Sequence, residues 1–440
     1  GSSTASRATC WSLWTTEVKS MDERNENIQP AFTASKAEKY TALFMYIAAY
    51  IYTLTTGSRW ELWLTVFVAL FVLMVEYLDR GVQRSKESWV WLGCAVLVTA
   101  CAVLGRSRVW GEFYSIAAVH ILAVWWALSR GGKLIEGESG HLLPLDALNG
   151  FVRIPFGNFS LRLRCIGAWI KDMSRGRRSN KNTIIASLTA IVLGVLLLWW
   201  AASSLASADS GFGRIVSGVL DSLRINLGTG FWDFLFRLAV SLPVGAYVFG
   251  LIAGTARLPE EKLRTQRDGV NSLLSKLRVV PNGVWVAVTA AFAAVYLLFF
   301  IVQGSYLFGA FARRLPEGFI VSQYAREGFF ELCRVIAINF TLLWLVTRSA
   351  SKPVRESRAA LLMSTLLLIA GALFAVISIS KLCLYISCFG FTPLRLQSFW
   401  FALIMLCGCV CAVYSLWTGK KSFRFWMMFG AVTLSLLSVY

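Results

Sequence analysis

The chain reads as all-α, a polytopic transmembrane helical bundle of about eleven spans with its N-terminus in the cytoplasm, and three observations predict it. Hydrophobic residues fill 57% of the 440 positions and charged ones only 15%, with a mean hydropathy of +0.61, far from the balance of a soluble domain. Apolar windows of the length that a hydrocarbon core of about 30 Å demands recur along the sequence. Lysine and arginine crowd every second loop between those windows and are sparse in the others, which is the positive-inside pattern.

The windows cover residues 40–56, 60–78, 88–104, 110–128, 183–205, 231–254, 284–309, 328–346, 359–379, 394–417 and 422–440. The first is short and leaves little room for tilt. With the N-terminal tail inside, the basic loops follow the second, fourth, sixth, eighth and tenth windows. The net charge of +19 is then chiefly a topogenic feature. It also draws the inner loops to anionic lipid headgroups, the expected partners at that face, beside a membrane-protein partner. Nucleic acid is excluded as a partner because it needs a soluble basic domain, and the sequence has none.

Residues 1–39 mix acids, bases, serine and asparagine without a period and are expected to form a mobile cytoplasmic tail, with 40–440 as the transmembrane domain. The opening residues lack the basic, apolar and small-residue regions of a cleavable signal peptide, so an internal segment is expected to direct insertion. The stretch before Met21 reads as appended or upstream, with Met21 a candidate initiator.

Amphipathic segments are predicted near 142–172, 211–226 and 257–280. In the first, Phe159, Leu163, Ile166, Trp169 and Ile170 recur at helical spacing, as an interfacial helix or a cap under the bundle. In the second, Ile215, Val219, Leu220 and Leu223 follow a cap at Asp209 and Ser210 and predict an outer lid. The third sets Leu263, Val270, Leu273, Leu274 and Leu277 on one stripe among Lys262, Arg264, Arg267, Lys276 and Arg278. No repeat of 20 to 50 residues relates the halves, which weighs against a classical secondary transporter.

Metal and cofactor chemistry has no foothold here, so neither is expected. His120 and His141 have no carboxylate cluster at ligand spacing, and the ten cysteines include no CxxC pair. Gly211-Phe212-Gly213 fails the dinucleotide fingerprint, and there is no phosphate loop. Gly250 and Gly254 form a GxxxG that predicts close helix packing.

Ionisable residues within apolar segments cost free energy and therefore need a reason. The richest group surrounds Tyr324, Arg326, Glu327, Glu331, Arg334 and Asn339, with Glu327, Glu331 and Arg334 on one helical face and the last two charges at pairing distance. Asp233 and Arg237 open the sixth window above a kink at Pro243, and Tyr385, Thr392 and Arg395 flank a break at Gly390 and Pro393. Alternate threading puts these three sets in one outer-leaflet layer. They are expected to act as structural ion-pair clamps or as a ligand, headgroup or proton site.

At these residues the chain resembles a bacterial multi-pass membrane family known only as a domain of unknown function. The matching motifs are Tyr324-Ala-Arg-Glu-Gly-Phe-Phe-Glu-Leu with Ile338-Asn339, and Tyr385-Ile with Phe389-Gly-Phe-Thr and Arg395, across about 231–440. Gly390-Phe391-Thr392 stands where the family commonly has Gly-Leu-Thr. The resemblance implies a protein of the bacterial cytoplasmic membrane and brings no activity.

Three functions fit this inventory. The first is a binding or assembly protein that recognises a lipid headgroup, an envelope precursor or a partner protein at the outer layer, and it needs no catalytic residue. The second is a transporter or flippase gated at the same layer. The third, an intramembrane enzyme with Glu327 or Glu331 as base and Arg334 or Arg395 holding an anion, rests on the weakest signal.

Overall fold

Lipid offers no hydrogen bonds to a peptide backbone, so apolar stretches of this length close their hydrogen bonds within helices. The computed structural model describes residues 32–57, 59–105, 111–174, 229–312 and 320–439, with Gly194 and Gly318. Helices, in order, are α1 (Lys36–Thr53), α2 (Trp60–Leu78), α3 (Lys86–Val103), α4 (Gly111–Arg130), α5 (Leu143–Leu148), α6 (Ile154–Gly157), α7 (Leu161–Ser174) and α8 (Thr229–Arg257). Then come α9 (Glu260–Lys276), α10 (Asn282–Val302), α11 (Gly304–Phe308), α12 (Val321–Ser349), α13 (Arg358–Phe389), α14 (Pro393–Thr418) and α15 (Phe423–Leu437).

Eight of these, α2, α3, α4, α8, α10, α12, α13 and α14, are long and apolar enough to cross a membrane. Helix α1 carries Lys36, Glu38 and Lys39 in its opening turn and is not among them, and α15 is a shorter apolar helix of 15 residues. Apart from Gly194, the window 183–205 and the amphipathic segment 211–226 lie outside the described residues.

The chain divides into two units, residues 1–45 with 160–234 and residues 46–159 with 235–440. In the first, α1 starts four residues inside the expected tail because Ser35 and Glu38 form a reciprocal cap. The Ser35 amide donates to Glu38 Oε2 at 2.7 Å and the Glu38 amide to Ser35 Oγ at 3.1 Å. Helix α7 buries Leu161, Arg162 and Cys165, while Leu163 of the expected stripe is 68% exposed. Its rotation follows Arg162, whose Nε donates to the Ala42 carbonyl at 3.4 Å.

The second unit is centred on α13, which packs against α10, α12 and α14. Leu332, Ile336, Leu342 and Val346 of α12 meet Leu367, Phe374 and Ala375 of α13, Tyr296 of α10 and Ala402 of α14. Helix α3 packs against α4 and α15. The Gly250 and Gly254 pair lets α8 pass close over the backbone near α6: a Cβ at Gly250 would stand 2.5 Å from the Pro155 carbonyl oxygen, and one at Gly254 2.9 Å from Ile154 Cγ2.

Loops predicted on one side of the membrane touch one another. The Val280 amide donates to the Ser349 carbonyl at 3.0 Å and Ser351 returns the bond at 2.8 Å. Lys133 Nζ donates to the Leu258 carbonyl at 2.8 Å, and Lys421 pairs with Glu136 at 2.9 Å. On α9, Leu263 buries against Ile135 and Leu142, whereas Leu273 and Leu277 of the predicted stripe stay 64% and 49% exposed.

Candidate functional site

Tyr324, Gly328 and Glu331 follow one another at four and three residues on α12 and so share a face. Opposite them on α13 stands Lys381, which is fully buried. At about 1.5 Å per residue it lies some 35 Å along α13 from Arg358, a distance comparable to the thickness of a hydrocarbon core. Its ammonium has Glu331 Oε2 at 3.7 Å, the Tyr306 ring centroid at 3.8 Å and the Tyr324 centroid at 4.3 Å. Tyr306 comes from the short helix α11 and meets Tyr324 edge to face at 5.3 Å. The Tyr324 hydroxyl donates to the Tyr306 carbonyl at 2.5 Å, and the Tyr306 hydroxyl to Glu331 Oε1 at 3.4 Å.

A buried ammonium is tolerable only where opposite charge and π faces replace water. Here the carboxylate is close enough for an ion pair but too far for a hydrogen bond, and Nζ has no hydrogen-bond acceptor among the described residues. Glu331 remains 26% exposed. The arrangement is a cation boxed by two tyrosines, with a partly open carboxylate as its outward face.

The other expected residues fall into separate places. Glu327 accepts from Gln323 Nε2 at 2.9 Å. Arg326 and Arg334 are exposed, and Arg334 Nε donates back to the Phe330 carbonyl at 3.4 Å. Glu331 therefore pairs with Lys381 and not with Arg334, because the lysine lies in the packed interface and the arginine turns away from it. Asn339 is buried deep in the core, accepting from the Tyr296 hydroxyl at 2.8 Å and donating to the Leu367 carbonyl at 3.0 Å. Arg395 stacks on Tyr385 at 4.0 Å and donates to the carbonyls of Phe389 and Gly390 at 2.9 and 2.6 Å. Thr392 caps the start of α14 by position, with no side-chain bond to it. Arg237 donates to the Thr53 carbonyl and, at 3.2 Å, to Thr56 Oγ1, setting a cation at the C-terminal end of α1. Asp233 is exposed on α8.

Sequence reasoning missed Lys381 and Tyr306. The ninth window stops at Ile379, which assigns Lys381 to a loop, yet α13 runs to Phe389. The legible signal was a single lysine inside an apolar run that continues through Leu382 and Leu384. Among the described residues no group of three or more His, Cys, Asp or Glu gathers as a metal site.

A family profile described as a domain of unknown function (DUF4153) matches residues 92–440. The chain belongs to this family. The DUF4153 region begins within α3 and contains every residue of the Lys381 cage. No curated protein and no solved structure matches the chain.

Proposed function

We propose that this integral membrane protein is a binding or assembly protein of the bacterial cytoplasmic membrane, threaded about eleven times with its N-terminus inside. Its outer polar layer, centred on Lys381 and Glu331, captures a lipid headgroup, a lipid-linked envelope precursor or a partner protein. The observation that carries this reading is the fully buried Lys381 ammonium with no hydrogen-bond acceptor among the described residues. A clamp serving stability alone gains most when every N–H is bonded, whereas donors left open behind a partly exposed Glu331 suit a ligand oxygen. Glu327, one turn from Glu331 on α12, and Arg395 of α14, stacked on Tyr385 one turn after Lys381 on α13, extend the layer. Anionic lipids at the basic inner loops complete the expected partners.

The test is native mass spectrometry of the full chain released from lipid nanodiscs, comparing wild type with Glu331→Gln and Lys381→Met. Variants that keep the wild-type melting curve are expected to lose co-purified lipid or partner. Full retention by such a variant overturns the reading.

A transporter or flippase is the second reading. It is favoured by Tyr306, which sits on a separate five-residue helix after α10 ends at Val302; interrupted helices beside intramembrane charges recur at transport sites. Movement of labelled lipid across liposomes that stops in Lys381→Met supports it. Its absence in wild type argues against it.

A further inference from the structure

At the other end of α12 from the Lys381 cage, α12, α14 and α15 line a half-open cavity of about 800 Å³ bordered by Glu136 and residues 138–141. It shares no residue with the Lys381 cage. Its walls are apolar: Phe340, Leu343 and Trp344 of α12 face Cys411, Ala412 and Leu416 of α14. Phe340 stacks on Trp426 with centroids 6.4 Å apart. Trp426 reaches across α14 because residue 408 is glycine, and its Nε1 donates to the Ile404 carbonyl at 2.8 Å. From Thr347 to Phe340 the wall covers two turns of α12, about 10 Å, and Trp344 is 53% exposed at its side.

The mouth is polar and carries both signs. Lys421 Nζ lies 2.9 Å from Glu136 Oε1. Arg424 pairs with Glu138 and, through Nε, with the buried Glu87 at 3.2 Å. His141 Nδ1 lies 3.1 Å from Glu136 Oε2. Burial depresses the His141 imidazole below its ordinary range, with Arg348 and Lys421 adding to that and Glu136 opposing it. With Arg348, which acts on both His141 and Glu136, the mouth sets Lys421, Arg424 and Arg348 against Glu136, Glu138 and Glu87, so a headgroup carrying both signs matches it better than a purely anionic one. A headgroup that carries a phosphate and a primary ammonium matches both halves.

The geometry points to this cavity as a binding site for a phosphoethanolamine membrane lipid: phosphate on Lys421 and Arg424, ammonium on Glu136 and Glu138, acyl chain between α12 and α14. Large apolar pockets with a few convergent polar groups are the usual form of such sites. The Lys421 and Glu138 side chains are 74% and 59% exposed, so they can exchange their present partners at small cost.

The experiment equilibrates the full chain with nanodiscs of phosphatidylcholine alone or with added phosphatidylethanolamine or phosphatidylglycerol, and counts retained lipids by native mass spectrometry. Wild type is expected to retain phosphatidylethanolamine over both others. Ala412→Trp, which fills the cavity, and Thr347→Trp, which blocks its mouth, are each expected to cut that retention about tenfold. Glu138→Gln and Lys421→Met leave the walls intact and are expected to remove the preference for ethanolamine. Glu260→Gln, on the exposed face of α9 and in neither site, is expected to leave retention unchanged. Lys381→Met is expected to remove only lipid held at the proposed outer site and to keep the phosphatidylethanolamine preference, which separates this inference from that reading. Phosphatidylglycerol retained as strongly as phosphatidylethanolamine overturns it, as does undiminished retention in a tryptophan variant that melts like wild type.

Discussion

Gly328 on α12 faces the aliphatic stem of Lys381 on α13 with no room for a β-carbon. A Cβ built there would stand 3.2 Å from Nζ, 3.3 Å from Cε and nearer still to Cδ. Lys381 is fully buried and boxed by Tyr306 and Tyr324, so the stem has nowhere to retreat. Gly328→Ala is expected to destabilise the fold by about 1–3 kcal/mol, the cost of overpacking a dense interior. Adding Lys381→Ala should relieve that clash, so the alanine at 328 costs less in the double variant than in wild type. Melting of the four proteins in one detergent measures it. Equal melting of Gly328→Ala and wild type contradicts the packing described.

The ion pair behind that contact gives a second expectation. Removing one partner of a fully buried pair costs about 3–5 kcal/mol, because the other charge is stranded. Glu331 retains 26% exposure, so water screens it when Lys381 is removed, whereas Glu331→Gln strands the fully buried Lys381 ammonium. Glu331→Gln is therefore expected to cost more than Lys381→Met. The double variant Glu331→Gln with Lys381→Met should melt higher than Glu331→Gln alone. A strictly additive cycle would mean that the two charges do not interact.

Asn339 bonds two helices at once, to Tyr296 of α10 and to the Leu367 carbonyl of α13. Asn339→Leu leaves the Tyr296 hydroxyl and that carbonyl without their partner. The expected loss is about 1–3 kcal/mol for buried groups left unsatisfied. Tyr296→Phe in the Asn339→Leu background should recover part of it, since no hydroxyl is then stranded. Thermal melts of both variants give the answer.

Helical windows were legible because a hydrocarbon slab imposes length and apolarity on any segment that crosses it. Pairing was not. Spacing on α12 offers Arg334 to Glu331, but only the packing of α12 on α13 reveals that Lys381 occupies the interface and Arg334 the surface. The same holds for Asn339: its polarity marked it in sequence as part of an outer layer, while its position ten residues from the end of α12 at Ser349, about 15 Å, puts it mid-bundle. On α9 the leucine stripe was visible, yet only Leu263 finds a partner surface in Ile135 and Leu142. Periodicity specifies a face and leaves open how much of it another element covers.

Asp146, in the segment between α4 and α7, ties pH to stability. It is 1% exposed, and its Oδ1 accepts the Ile135 amide at 2.8 Å while Oδ2 has no partner among the described residues. Burial pushes its carboxyl from 3.8 up to about 7; Glu136 and Glu87 add to that, and the Ile135 bond opposes it. The folded state thus holds a proton that the unfolded chain has released across pH 4 to 7. Unfolding free energy falls with rising pH wherever the folded state binds more protons. This group's contribution is complete below about pH 4, declines as pH rises toward 7 and is gone above that. Asp146→Asn keeps an acceptor for Ile135 and never ionises. Its melting temperature relative to wild type is therefore expected to climb between pH 4 and 7 and to level off above, with the variant the more stable protein at pH 8. Parallel melting curves for the two proteins across that range would show that Asp146 is charged in the folded state throughout.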